Sequence, residues 1–165
     1  LEEWYNTNLK SQESKIADGK YCNDRNVQSG YTWASQPTST FYYAGYKRLW
    51  TDYAPTLSCG TLDTYTLKVG LITSDEVMYA GGKFANNTSY YLYNGHDYWT
   101  MSPYCWYYGS STSLSAAMFV VSTSGYLTNA GVYASEVDVR PVINLKADAQ
   151  ISGGNGTKDN PYIVA

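Results

Sequence analysis

Tyrosine, not leucine, is the commonest large side chain of this sequence: 19 tyrosines stand against 11 leucines and 3 phenylalanines. Leu, Ile, Val and Phe together make up 29 of the 165 residues, just under the fifth below which a strongly charged chain is disordered. Any core must therefore draw its apolar area from aromatic rings. Charge does not oppose this, because 11 basic against 14 acidic residues leave a net charge of only -3. With 27 Phe, Trp and Tyr residues to bury, the disordered alternative fails, and one folded domain spanning residues 1–165 is expected.

The same balance excludes several partners. A pI near 5.0 with no Lys/Arg cluster lacks the positive footprint that phosphate binding demands, so nucleic acid is not an expected partner. No apolar run approaches the ~18 residues that span a bilayer. The chain starts at Leu1 rather than Met and carries no signal peptide, so a piece of a longer protein is expected.

Local signals predict a mixed α+β chain. Leu1 to about Ala17 reads as one amphipathic helix, with Leu1, Trp4, Tyr5, Leu9 and Ile16 on one side and Asp18-Gly19 at its end. Lys20 to Leu67 is irregular, and its Tyr42 to Trp50 piece is strand or turn. Leu67 to Ile72 fits a short buried strand, and Thr73-Ser-Asp-Glu76 fits a capping box opening a second helix that Gly81-Gly82 stops. Strands are then expected over Tyr98 to Met101, stopped by Pro103, and over Ala116 to Ser122 and Tyr126 to Tyr133 as a hairpin about Thr123-Ser-Gly125. Val137 to Leu145 alternates like a strand interrupted by Pro141. Gln150 to Ser152 and Tyr162 to Val164 bracket a polar turn. Two helices early and antiparallel strands after them give the α+β class.

Three cysteines allow one bridge and a spare thiol, or three thiols. A Cys22–Cys59 disulfide would close a loop of roughly 35 residues and add ~3 kcal/mol; the alternative is three buried small hydrophobes. With no Cys-x-x-Cys and a single histidine, His96, no zinc ligand set exists, and no cofactor is implied.

Catalytic motifs are missing: there is no Gly-x-Ser-x-Gly, phosphate loop or His-Glu-x-x-His. His96 beside Asp97 reads as a solvated loop histidine, and Asp75 and Glu76 as helix-start acids. Asp63, Asp138, Asp148 and Asp159 are scattered. The Asn155 to Asn160 turn has oxygen ligands without EF-hand spacing and is read as ordinary turn chemistry. Arg140 is read as a structural guanidinium holding carbonyls or a carboxylate, with anion binding as the alternative.

Between Tyr90 and Tyr108 lie seven tyrosines and two tryptophans, interleaved with Asn94, Gly95 and Ser102 and followed by Gly109-Ser-Ser-Thr-Ser113. Tyrosine with Ser, Gly and Asn is the vocabulary of antibody paratopes, where rigid rings give contact area at low entropy cost, and aromatic faces also stack on sugars. Tyr98 and Trp99 are expected in the core. Tyr104, Trp106, Tyr107, Tyr108, Tyr126 and Tyr133 are the expected ligand contacts, exposed on loops.

Several strings, taken together, resemble a known family: Trp4-Tyr-Asn-Thr-Asn-Leu9, Cys22-Asn-Asp-Arg25, Val69-Gly-Leu-Ile-Thr-Ser-Asp-Glu-Val-Met-Tyr-Ala-Gly-Gly82, Tyr98-Trp-Thr-Met-Ser-Pro103, Val139-Arg-Pro-Val-Ile-Asn-Leu145 and Gly153-Gly-Asn-Gly-Thr-Lys-Asp-Asn-Pro-Tyr162. They resemble uncharacterised tyrosine-rich domains of surface or secreted proteins in Gram-positive gut bacteria, over nearly the whole chain. More distantly, the element order and the closing Val-Arg-Pro-Val strand resemble the C-type-lectin-like fold of formylglycine-generating enzymes and of the variable proteins of diversity-generating retroelements. The resemblance implies a two-helix, mixed-strand domain with its termini close together and a binding face on its irregular later loops. Cys22, Cys59 and Cys105 do not match the oxidase cysteine pair, and the calcium-lectin strings Glu-Pro-Asn and Trp-Asn-Asp are missing, so neither chemistry carries over. The expectation is a non-enzymatic extracellular or cell-surface module that binds a glycan or protein. The alternative is a structural spacer packed against neighbouring domains of the parent chain.

Overall fold

Residue by residue, the chain does what its polar runs dictate before its apolar pattern has a say. A computed structural model describes residues 1–34, 36–59, 64–110, 113–157 and 159–165. Asp63, Ser111, Thr112 and Lys158, all part of the expectations above, lie outside these. The predicted first helix is shorter than expected: α1 covers Glu2–Asn8, a 3-10 stretch follows over Lys10–Lys15, and Ile16–Ala17 is strand β1. Lys-Ser-Gln-Glu-Ser-Lys offers no apolar side chain to hold an α-helix against the body. The 3-10 geometry instead eclipses i with i+3, so that Lys10 Nζ meets Glu13 at 2.7 Å. Tyr5, Ile16 and Val69 then form a small core of their own, with Leu9 and Ile143 against it.

Strand β2 (Gly19–Cys22) pairs antiparallel with β4 (Thr64–Leu67), and β1 pairs with β8 (Asn144–Leu145). The buried strand expected over Leu67 to Ile72 does not form as such: β4 ends at Leu67 and all four of its residues are exposed. Only Gly70 continues the pairing, exchanging two 2.9 Å backbone hydrogen bonds with Val142. Glycine is required there, since a Cβ would meet the Tyr21 ring at 2.3 Å.

Between them, Phe41–Tyr42 forms β3, Ala44–Tyr46 a single turn α2, and Lys47–Thr51 a π-helical turn. The second expected helix is α3, Ser74–Tyr79, and both its ends are closed by side-chain or backbone devices. Glu76 N–H donates to Thr73 Oγ1 and Thr73 N–H to Glu76 Oε2. Gly81, at a φ of 109°, lets Gly82 N–H reach Val77 O and its own N–H reach Met78 O.

The main sheet has order β3-β5-β6-β7, with β5 Tyr98–Ser110, β6 Ser113–Val121 and β7 Leu127–Gly131. Pro103 was expected to stop β5 and does not. Register shifts on either side of it place Pro103 opposite Met118, a bulge that absorbs the missing N–H. The hairpin between β6 and β7 forms as predicted, its turn carrying Gly125 at φ 72°. The C-terminal strand is the other correction: Pro141 leaves only the Val142 and Asp138 bridges and the two residues of β8. A last hairpin joins β9 (Ile151–Gly153) to β10 (Ile163–Val164). The architecture is mixed α+β with mostly antiparallel pairing. Its main core gathers Leu49, Val77, Tyr90, Tyr98, Phe119, Val121 and Leu127.

Candidate functional site

The six aromatics expected at the ligand surface part company in the folded chain. Tyr104 is the clearest correction. The bulge at Pro103 turns its ring onto the core, edge-on to Phe119 at 4.9 Å, Tyr46 at 5.1 Å and Tyr42 at 5.9 Å. Burial pushes its phenol well above the ordinary range. Trp106 is half-buried between Phe41 and Ala116, and its indole Nε1 is buried without a partner. Tyr108 is half-buried opposite Leu114, its N–H bound to Thr40 Oγ1 at 3.0 Å. Tyr126 is half-buried in the hairpin turn, paired through the backbone with Ser122 and bridged to Lys83. Tyr107 and Tyr133 alone of the six are exposed, at 50 % and 79 %.

Strand register brings that pair together. Tyr107 lies opposite Ser115, and Gly131 opposite Ala117, two residues further along β6 and therefore on the same face. After Gly131 the chain turns, and the Tyr133 ring folds back over that glycine, where a Cβ would come within 2.5 Å of it. Tyr107 and Tyr133 thus stand on one face with β6 between them. Ser115 and Gly131 border the pair, and buried Ala117 lies on the same face of β6, which continues into the core at Phe119 and Val121. The arrangement offers two ring faces, which suits stacking against a flat ligand.

A second feature carries more charge. A cleft of about 210 Å³ is lined by Cys22, Cys59, Arg48, Asp24, Asp75 and Ser102 among others. Cys22 and Cys59 are bridged, with Cα atoms 5.6 Å apart, which decides between the two cysteine alternatives; Cys105 is free and buried. Arg48 donates from Nε and Nη2 to the two oxygens of buried Asp75, both at 2.8 Å, and from Nη1 to Asp24 at 3.0 Å. Thr56 N–H adds a further 2.8 Å bond to Asp75. Both Asp75 oxygens are engaged, so the carboxylate is no free base, and its hydrogen bonds hold the Arg48 guanidinium above its ordinary pKa. Sequence reasoning placed Asp75 at a helix start and missed its partners, which lie 27 and 19 residues away with no local signal.

The remaining candidates are occupied structurally. His96 is 70 % exposed, with Nδ1 3.6 Å from Asp138, while Asp97 accepts from the Thr123 amide. In the last turn Asn155 Oδ1 accepts from the backbone and hydroxyl of Thr157. Arg140 donates to the Leu92 carbonyl and lies over the Tyr98 ring. Among the described residues no three His, Cys, Asp or Glu side chains converge as a metal site, and no helix is long and apolar enough to cross a membrane. In comparisons with protein-family models, curated proteins and solved structures, none matched this chain.

Proposed function

We propose that this chain is an extracellular binding module of C-type-lectin-like architecture that holds a glycan or protein ligand against Tyr107 and Tyr133. The observation that carries the proposal is their joint exposure on one face of the main sheet. A glycan is the better fit of the two. The patch is far smaller than the ~800 Å² per partner of a stable protein interface, and a pyranose presents a flat face to a ring. The Cys22–Cys59 disulfide supports an oxidising compartment, as a surface protein of a Gram-positive bacterium would meet. The β1–β8 pairing, which joins an early segment to a late one, supports the C-type-lectin-like reading.

A glycan array, run with and without calcium, tests this. The chain is expected to retain a defined set of glycans, and Tyr107→Ala with Tyr133→Ala to weaken capture by about tenfold or more. Capture that survives the double change would contradict it, and an array that retains no glycan would contradict the glycan reading.

A further inference from the structure

A second cleft, lined by neither Tyr107 nor Tyr133, has a different chemistry. It measures about 260 Å³ and is walled by Ile72, Tyr91, Leu92, Pro141, Val142 and Ile143, with Tyr98 and Arg140 completing it. Tyr98 is fully buried, whereas Tyr91 is 82 % exposed at the rim. Arg140 is half-buried, and its Nη1 donates to the Leu92 carbonyl, which also accepts the Tyr98 hydroxyl at 3.1 Å. Its guanidinium carbon lies 5.2 Å from the Tyr98 ring centroid.

What the guanidinium lacks is a counter-charge. Among the described residues no carboxylate comes within 4.0 Å of Arg140. Asp138, two residues back, is exposed and faces His96 instead. A carbonyl, the Tyr98 ring face and the Tyr98 hydroxyl, all neutral, only partly offset the desolvation of a half-buried cation. Arginine presents five donors in a planar fork that matches a carboxylate, so an arriving anion finds the remaining donors in a fixed geometry. The rest of the lining decides the body of the ligand. Ile72, Leu92, Pro141, Val142 and Ile143 give one part of the lining an apolar surface, where a ligand's hydroxyls would lose water without finding side-chain partners, and Arg140 with the tyrosines supplies polar groups. The volume lies just below the ~300 Å³ at which small-ligand pockets begin, so the ligand is small.

We propose that this cleft binds a carboxylate carried on a compact apolar body, with Arg140 taking the carboxylate and Tyr91, Ile72 and Pro141 seating the body. A free branched-chain acid and the terminal residue of a peptide share this chemistry. The proposal stands apart from the Tyr107–Tyr133 surface, and either can fail alone.

The test is a titration of the intact chain, followed by backbone amide NMR shifts at Tyr91, Leu92, Arg140, Val142 and Ile143. The probes are 4-methylpentanoate, N-acetyl-leucine, the neutral 4-methylpentanamide and galacturonate. At least one of the first two should give saturable shifts at these amides and leave Tyr107 and Tyr133 unmoved. If only 4-methylpentanoate does so the source is a free acid, and if N-acetyl-leucine binds tighter it is a chain end. The neutral amide and galacturonate should bind at least tenfold more weakly. Arg140→Lys should weaken the acid at least tenfold, and Arg140→Gln should abolish saturation. Because the acid-against-amide comparison uses the unaltered chain, an unfolded variant leaves the test intact. No saturable shift with either acid, or equal binding of acid and amide, would overturn the proposal.

Discussion

Tyr104 and Tyr107, three residues apart, carry opposite duties. One phenol is packed among Tyr42, Tyr46 and Phe119; the other is half in water. Desolvation is the leading cause that raises the phenols of Tyr21, Tyr42, Tyr43, Tyr90, Tyr98 and Tyr104 above their ordinary 10.0. It also pushes the Cys105 thiol from 9.0 up to about 11. These groups are neutral when protonated, and the folded chain holds their protons more tightly than the unfolded one. Their contribution is therefore whole below the ordinary thiol and phenol pKa values and is lost as the pH climbs through the folded ones. The urea midpoint is expected to stay flat from about pH 7 to 8 and to fall steadily above about pH 9. A midpoint that holds or rises through about pH 11 would contradict the burial of these rings.

Among the elements, α3 is the one whose local signals and tertiary contacts agree. A helix of six residues is too short to persist by propensity, so its ends and contacts hold it. Thr73 and Glu76 close the start, and Ser74 is tied to β5 by its N–H to Ser102 Oγ and its hydroxyl to Thr100 Oγ1, both at 3.0 Å. Thr73→Ala should lower stability by about 1 kcal/mol in urea unfolding, and Thr73→Ser should restore most of it. A change within error would mean that Ser102 and Thr100 hold the helix start unaided. The same comparison explains why α3 was legible and α1 was not. The Thr-Ser-Asp-Glu signal is local, whereas the end of α1 is set by where Ile16 must sit against β8. β5 was half legible: its rings are strand residues, but Pro103 looked like a terminus because a bulge has no signature in a single strand.

At the scale of the whole molecule, distant stretches are joined by polar and covalent links as much as by apolar packing. Arg48 ties the π-helical turn to Asp24 after β2 and to Asp75 of α3, Thr56 joins the same carboxylate, and the Cys22–Cys59 bridge closes that corner. The α+β class, the β6–β7 hairpin and the bridge among its alternatives were readable from the sequence. Which tyrosines face inward was not, since side-chain direction in β5 depends on a register that shifts on both sides of Pro103. That division of the tyrosines into core and surface is the central claim, and urea unfolding of three single variants tests it most directly. Tyr104→Ala should lower stability by about 3 kcal/mol. Tyr107→Ala and Tyr133→Ala should each stay within about 0.5 kcal/mol of the unaltered chain. Comparable losses at all three positions, or a tolerated change at Tyr104, would contradict it.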